Sequence, residues 1–118
     1  MAVSKTGFFT EELQKRANLF KALAHPARLQ ILLFLAQSHQ CITGDISEHF
    51  PLSRTTVNQH LKELRDAGLI CMHMEGTKMV YCLDCEKVKE TEKILAALLD
   101  EIHLPSDFSC CLESISKN

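Results

Sequence analysis

The chain has 118 residues, of which 46% are hydrophobic and 24% are charged, and it contains four glycines and three prolines. Such a composition is typical of one ordinary globular domain, and it excludes a disordered chain and a large enzyme with a deep two-domain cleft. Thirteen Lys and Arg residues against fifteen Asp and Glu residues give a formal net charge of -2. The chain therefore lacks the overall basicity of a protein that simply coats nucleic acid.

The organisation of the chain is predicted to be simple. We expect a single domain over residues 1–118, with a folded core at residues 10–103 and a polar, cysteine-containing tail at residues 104–118. Residues 1–10 lack the apolar run of a signal peptide, and the longest apolar runs, such as residues 31–36, are too short to cross a bilayer. A soluble cytoplasmic protein without a membrane partner is therefore expected. In a reducing cytosol its six cysteines are expected to be thiols or metal ligands and not a disulfide framework.

Hydrophobic periodicity predicts three helices in the first half of the chain. Apolar residues recur at three- and four-residue steps over residues 10–24, with Thr10 as the candidate N-cap. A proline then begins a second helix, residues 26–37, which is apolar on most sides and is expected in the middle of the fold. A third, short helix is predicted over residues 43–49, where a Phe-Pro pair ends the pattern.

The second half begins with the best-defined predicted helix, residues 53–67, for which Ser53 is the candidate N-cap and Gly68 the C-cap. Beyond Gly68 the apolar residues alternate, which predicts two short strands joined at Gly76 in a hairpin. A last helix is expected over residues 85–103. The predicted fold is thus mainly α with a small β-hairpin, an α+β fold with the order α-α-α-α-β-β-α.

The helix at residues 53–67 carries the functional prediction. A short helix, a tight turn and a longer helix with a polar outer face match a helix-turn-helix, and the hairpin after it matches a wing. Asn, Gln and Arg can contact base edges in the major groove, and Ser, Thr and Lys can contact phosphates. A polar face on an isolated helix would more often be merely solvated, but the following hairpin favours DNA binding. The predicted DNA-binding residues are Ser53, Arg54, Thr55, Thr56, Asn58, Gln59, Lys62 and Lys78.

Three segments, residues 19–32, 52–70 and 75–81, resemble the ArsR/SmtB group of bacterial winged helix-turn-helix repressors. The resemblance implies a homodimer, paired mainly through the first and last helices, that represses a double-stranded operator until an effector binds. It implies no cofactor for DNA binding, and it places the recognition helix at residues 53–68. Arg28 is expected to anchor the helix packing, while His60 is expected either to brace the recognition helix or to contact a phosphate.

The effector is predicted from the cysteines. Arsenite-sensing members of the group often carry two cysteines beside an Asp at the start of the third helix; here Asp45 matches, but only Cys41 is present, one position out of register. Adjacent Cys110 and Cys111 offer two soft thiolates, and a trivalent arsenic centre takes three sulfurs. The leading hypothesis is therefore that arsenite, or a similar soft metal ion, binds Cys110, Cys111 and a third thiol, for which Cys41 is one candidate.

Other roles for the cysteines stay open. The chain could be a thiol redox or persulfide sensor in which Cys41 and a cysteine near the C-terminus are joined on oxidation. Cys82 and Cys85 form a C-x-x-C sequence, which would suit a small thiol oxidoreductase, a metal site, or, with Cys110 and Cys111, a four-sulfur zinc site. Packing inside the fold is the main expectation for Cys82 and Cys71, and we predict that the protein is not an enzyme.

Overall fold

The computed structural model describes residues 7–103 and 106–107. Within these residues the four α-helices are α1 (Glu11–Leu23), α2 (Pro26–Ser38), α3 (Arg54–Asp66) and α4 (Cys85–Glu101). A short 3-10 helix (Ile46–His49) lies between α2 and α3, and the three strands are β1 (Ile42–Thr43), β2 (Ile70–Glu75) and β3 (Lys78–Leu83). The α+β fold expected from the sequence is confirmed, with one change in the order of its elements.

That change concerns residues 43–49, for which an α-helix was wrongly predicted. Ile42 and Thr43 instead form β1, which pairs antiparallel with β3, so the sheet has three strands in the order β1-β3-β2. Gly44 prevents a helix here because it adopts a left-handed φ of 101° and donates its N–H to the Met79 carbonyl at 2.9 Å. The 3-10 helix begins only after Asp45, whose carboxylate accepts the Ser47 N–H at 3.0 Å.

Side-chain caps fix where the long helices begin. The Thr10 hydroxyl accepts the Leu13 N–H at the start of α1, and the Ser53 hydroxyl accepts the Thr56 N–H at the start of α3. Each such cap stabilises a helix by about 1 kcal/mol, because it satisfies a backbone donor that has no partner within the helix. At the other end of α3, Gly68 takes the predicted left-handed conformation, with φ 84°. Both caps and this C-terminal glycine were predicted from the sequence.

The core lies between α2, α3 and the sheet. From α3 it contains Val57, Leu61 and Leu64, all fully buried, in steps of three and four along one face. The other buried members are Leu19, Ile31, Leu35, Ile46, Leu69, Ile70 and Tyr81. The prediction of a central second helix holds for one face only, since α2 leaves Leu29 48% and Leu33 55% exposed.

Among the four α-helices of the described residues, α4 alone has no buried residue, although its Ile94 packs against the core. Its C-terminal end is tied to α1 by Arg16, whose two terminal nitrogens bond the two carboxylate oxygens of Glu101 at 3.0 and 3.1 Å. This bidentate pair raises the pKa of Arg16 and lowers the pKa of Glu101 through its hydrogen bonds. In the described ranges, 7–103 and 106–107, no single helix has the length and hydropathy of a membrane span; α1 and α2 would pass on those criteria only if joined across their 82° bend.

Candidate nucleic-acid interface

The exposed face of α3 carries most of the residues that were predicted to bind DNA. Val57, His60, Leu61 and Leu64 turn inward, and the predicted residues from Ser53 to Lys62 are all exposed. Ser53 and Thr56 are engaged with each other at the N-cap, where the two hydroxyl oxygens lie 2.9 Å apart. Within the described part of the chain, no hydrogen bond or ion pair engages the side chains of Thr55, Asn58, Gln59 and Lys62. These four are therefore available to an external partner.

Arg54 is held at the start of α3 by an acidic residue from the preceding loop. Its Nε and Nη2 atoms lie 2.9 and 2.7 Å from the same oxygen, Oδ2 of Asp45. The other carboxylate oxygen accepts both the hydroxyl and the backbone N–H of Ser47. The Ser47 hydrogen bonds and then Arg54 hold the pKa of Asp45 below its usual value. The guanidinium is thus positioned but still exposed at the end of the helix that would face a phosphate.

The wing and α3 enclose a polar cleft. Gly76 and Thr77 form the two-residue turn of the hairpin, and Lys78 follows at its base in an exposed position. Arg54, Asn58 and Lys78 all line one cleft of about 600 Å³ between α3 and the wing. The structure therefore brings together residues that the sequence could predict only separately.

Eight further residues line this cleft and were not predicted from the sequence to bind DNA: Thr43, Gly44, Asp45, Glu48, His49, Thr77, Met79 and Tyr81. Thr43 was missed because the segment was assigned to a helix. Tyr81 lies on β3, and the alternation of that strand was the only signal that pointed to it. Its ring is buried, and burial followed by the neighbouring Asp45 carboxylate raises the pKa of its hydroxyl.

The orientation of α3 depends on a contact between Arg28 and His60. Arg28 of α2 donates from Nε to Nδ1 of His60 at 3.2 Å and from Nη1 to the carbonyl of Ala22 at the end of α1, also at 3.2 Å. The His60 ring lies against the His25 ring, with centroids 4.2 Å apart. Both sequence expectations that concern packing are met: Arg28 anchors the helices, and His60, which is buried, braces the recognition helix.

Two of the cysteines are joined. Cys41 and Cys82 form a disulfide with their Cα atoms 4.5 Å apart, whereas Cys71 and Cys85 are free and exposed. The expectations that the cysteines form no disulfide and that Cys82 and Cys71 pack inside the fold are therefore wrong. The register explains the pair: Ile42 lies opposite Tyr81, so the residue before β1 lies opposite Cys82.

The predicted effector site is described only at Cys41. Cys110 and Cys111 lie outside the described residues, so their place relative to Cys41 stays a prediction. Within residues 7–103 and 106–107, no group of three or more His, Cys, Asp and Glu side chains is arranged to hold a metal ion.

Comparison with known proteins identifies a family model and relatives that this chain matches. Residues 25–71 match the family model described as "Bacterial regulatory protein, arsR family". The chain is 38% identical over 79 residues to the arsenical resistance operon repressor of Bacillus subtilis, covering 67% of this chain and 75% of the relative. It is 33% identical over 88 residues to an HTH-type transcriptional regulator of Methanocaldococcus jannaschii, covering 75% of this chain and 99% of the relative.

Solved structures agree with these sequence matches. HlyU from Vibrio cholerae superposes with a TM-score of 0.60 at 32% identity, covering 76% of this chain and 97% of HlyU. A second structure, of reduced HlyU, superposes with a TM-score of 0.56 at 31% identity, covering 78% and 92%. HlyU itself is described as a transcriptional activator. The relatives are DNA-binding regulators and not enzymes, which confirms that part of the sequence prediction.

The buried His60 predicts a pH-dependent stability. Burial, together with His25 and Arg28, lowers the pKa of His60 below its ordinary value of 6.5, while Glu63 opposes the shift. The unfolded chain then binds more protons than the folded chain just below pH 6.5, so this contribution to stability is present above that pH and is lost as the pH falls through the window beneath it. His60→Asn, which keeps an acceptor for Arg28 but does not titrate, should lose less stability on acidification.

Urea unfolding at about pH 8 and about pH 5.5 measures this difference. The matched control is His103→Asn, because His103 is exposed and its side chain has no hydrogen bond or ion pair within the described part of the chain. Equal acid sensitivity of the wild type and His60→Asn would contradict the assignment.

Proposed function

The chain belongs to the ArsR family of bacterial regulatory proteins, and on that premise we propose that it is a repressor that leaves its operator when a thiophilic ion binds its cysteine thiolates. Regulators of this family bind operator DNA through the helix-turn-helix. The observation that carries the proposal for this chain is the exposed polar face of α3, which shares a cleft with Lys78 of the wing. A helix of this kind fits the major groove, and a wing fits the adjacent backbone or minor groove.

The proposed contacts divide by the chemistry of the side chains. Asn58 and Gln59 are exposed amides on the middle of the helix face, where bidentate hydrogen bonds to adenine are possible. Lys62 and Lys78 carry the charge for phosphates. The remaining proposed contacts come from the N-terminal turn of α3, where the helix dipole also favours a phosphate, and they are Ser53, Arg54, Thr55 and Thr56.

The charge distribution supports this assignment. Residues 1–80 contain nine Lys and Arg residues and seven Asp and Glu residues, whereas residues 81–118 contain four and eight. The overall charge of -2 therefore combines a mildly basic segment, residues 1–80, which contains the helix-turn-helix, with an acidic C-terminal part. A segment of such low positive charge binds DNA of any sequence only weakly, so the base contacts decide where the repressor binds.

A homodimer through α1 and α4 is the proposed assembly. Along α4 the apolar side chains of Val88, Leu95, Leu99 and Ile102 are 39% to 60% exposed, and Leu13 of α1 is 46% exposed. A helix with an apolar stripe and no buried residue needs a partner for that stripe. A second copy of the chain supplies one, and it would place two α3 helices on one DNA duplex.

The effector is proposed from the relatives and from the number of cysteines. The Bacillus subtilis relative is an arsenical resistance operon repressor, and a trivalent arsenic centre is bound by soft sulfur ligands. The set Cys110, Cys111 and Cys41, predicted from the sequence, stays a proposal. It requires the Cys41–Cys82 disulfide to be open, since a disulfide sulfur is no longer a thiolate.

A repressor that senses thiol oxidation is the second candidate function. The Cys41–Cys82 disulfide favours it, because the bond links the segment after α2 to a strand of the wing. It differs from the sequence hypothesis in the partner of Cys41, which was expected near the C-terminus. HlyU has also been solved in a reduced form.

Gln59→Ala and Lys78→Ala are expected to weaken operator binding in different ways. Gln59→Ala should lower the preference for the operator over mismatched sites by about 1–3 kcal/mol, because its amide no longer bonds a base edge. Lys78→Ala should weaken binding to all sequences and flatten the salt dependence of log K by about 0.9 for each phosphate that is no longer neutralised. Fluorescence anisotropy with labelled duplexes at several salt concentrations measures both effects. Lys89→Ala on α4 is the matched control, and an unchanged salt slope for Lys78→Ala would remove Lys78 from the residues that bind phosphate.

The dimer is tested by placing charge on the stripe. Leu95→Asp combined with Leu99→Asp should shift the protein towards monomers, because two carboxylates would be buried between apolar surfaces. Sedimentation equilibrium reports the distribution. Lys89→Asp introduces a carboxylate on the same helix outside the stripe and should leave the assembly intact. If the double variant associates as the wild type does, α4 is not the dimer surface.

Release by the effector is tested on reduced protein bound to labelled operator. Arsenite should lower the anisotropy of the wild type and of Cys71→Ser, but not of Cys41→Ser, since Cys41 belongs to the proposed ligand set. Zinc, cadmium and a peroxide are added in parallel. A complex that survives arsenite contradicts the leading effector proposal, and release by peroxide alone would replace it with the redox candidate.

A further inference from the structure

Three cysteines from separate parts of the fold line one small cavity. Cys41 lies just before β1, Cys82 lies near the end of β3, and Cys85 is the first residue of α4. All three line a cavity of about 240 Å³ beside the C-terminal end of α2, together with Leu35, Leu83 and His39. Cys41 and Cys82 are already at bonding distance, in the disulfide. The hypotheses drawn from the sequence grouped Cys41 with the tail cysteines and Cys82 with Cys85, but not these three together.

From this arrangement we propose that the reduced Cys41, Cys82 and Cys85 form a three-thiolate site for a trivalent soft ion, with arsenite as the probe. The inference rests on the proposed function, and it gives the effector a ligand set different from Cys110, Cys111 and Cys41. It uses neither Cys110 nor Cys111. In the oxidised state two of the three sulfurs are bonded to each other, which fits the finding that no group of ligands among the described residues is arranged to hold a metal ion.

The placement of the three cysteines around one cavity suits this chemistry. Cys41, the residue before β1, continues the β1–β3 register and lies opposite Cys82 of β3, and the two side chains are joined in the disulfide. Cys85 is exposed at the first position of a 17-residue helix, and it lines the same cavity as the other two cysteines. Three sulfurs meet the requirement of a trivalent arsenic centre, whereas zinc prefers four ligands.

The free cysteine Cys71 provides the contrast. It lies opposite Cys82 in the β2–β3 pairing, so its side chain projects from the same face of the sheet, and it is exposed, like Cys85. Cys71 does not line the cavity, however, and it belongs to β2, which contributes no residue to the cavity. The cavity therefore favours Cys85 over Cys71 as the third ligand, and Cys71→Ser is the variant that tests the alternative.

The proposed binding step balances without a change in the oxidation state of arsenic. Two molecules of a small thiol reductant first open the disulfide, become a disulfide themselves and leave thiols at Cys41 and Cys82. Arsenous acid then exchanges its three hydroxyl groups for the three cysteine sulfurs. Each exchange breaks one As–O bond, forms one As–S bond and releases one water molecule.

Occupation of this site would join elements that serve different functions. Cys41 lies in the loop that leads from α2 to β1, Cys82 lies on strand β3 of the wing, and Cys85 is the first residue of α4, the helix of the proposed dimer surface. An ion that holds all three fixes how the wing and α3 sit relative to α4. In a dimer the orientation of α3 relative to α4 sets the spacing of the two α3 helices. A change in that spacing is how binding of the ion would release the operator.

Cysteine alkylation of the full-length protein tests the site. The chain is reduced, freed of reductant without air, incubated with arsenite and treated with iodoacetamide, and modified cysteines are located by peptide mass spectrometry. Protection of Cys41, Cys82 and Cys85, with Cys71 alkylated, is the expected result. Protection of Cys110 and Cys111 in place of Cys82 and Cys85 would overturn the proposal.

Binding of arsenite by matched variants completes the test. Cys85→Ser should weaken binding at least about tenfold, because one sulfur ligand is removed, whereas Cys71→Ser should bind like the wild type. Wild-type affinity in Cys85→Ser overturns this site; if arsenite still releases the operator from that variant, the proposed function stands. If arsenite neither binds the wild-type protein nor releases it from the operator, both the three-cysteine site and the proposed function are contradicted. Zinc binding that is tighter than arsenite binding, and that His39→Ala weakens, would overturn the trivalent assignment.

Discussion

The hydrogen bond from Arg28 to His60 is the contact on which the orientation of the polar, DNA-facing side of α3 depends. One guanidinium joins the carbonyl end of α1 to a ring on α3, while its own backbone belongs to α2. His60 shares the inward face of α3 with Val57, Leu61 and Leu64, so whatever fixes His60 also fixes which residues of α3 face outward. An imidazole buried here without a partner would be costly, which makes this arrangement of the three helices strongly preferred over others.

Local sequence signals predicted those parts of the fold that depend on neighbouring residues. The step of three and four at Val57, Leu61 and Leu64, and the caps at Ser53 and Gly68, located α3 to within one residue at each end. Residues 42–49 followed a different rule, because β1 exists only by pairing with a strand that comes almost forty residues later. No periodicity in a short segment can report such a distant partner, and the left-handed Gly44 was the one local sign against a helix.

The same division separates the predictable and the unpredictable parts of the two candidate sites. The polar residues of α3 could be predicted from one helical face, but their shared cleft with Lys78 depends on how the hairpin folds back. For the cysteines the difference is larger: Cys41 and Cys82 are separated by 41 positions and meet through the β1–β3 register. Spacing alone favoured the adjacent pair at 110 and 111 and the C-x-x-C pair, because sequence patterns report only neighbours.

Helix α4 has a consequence for how this regulator is held together. Within one chain it has no buried residue and is held by the partly buried Ile94 and by the Arg16–Glu101 pair, so much of its stabilisation in the proposed dimer comes from another molecule. Contacts of that kind obey mass action, and the helix becomes more stable as more copies of the chain are present. The concentration of the protein in the cell would then set the fraction of chains that are dimeric and able to bind an operator. Any effector would act in addition to this.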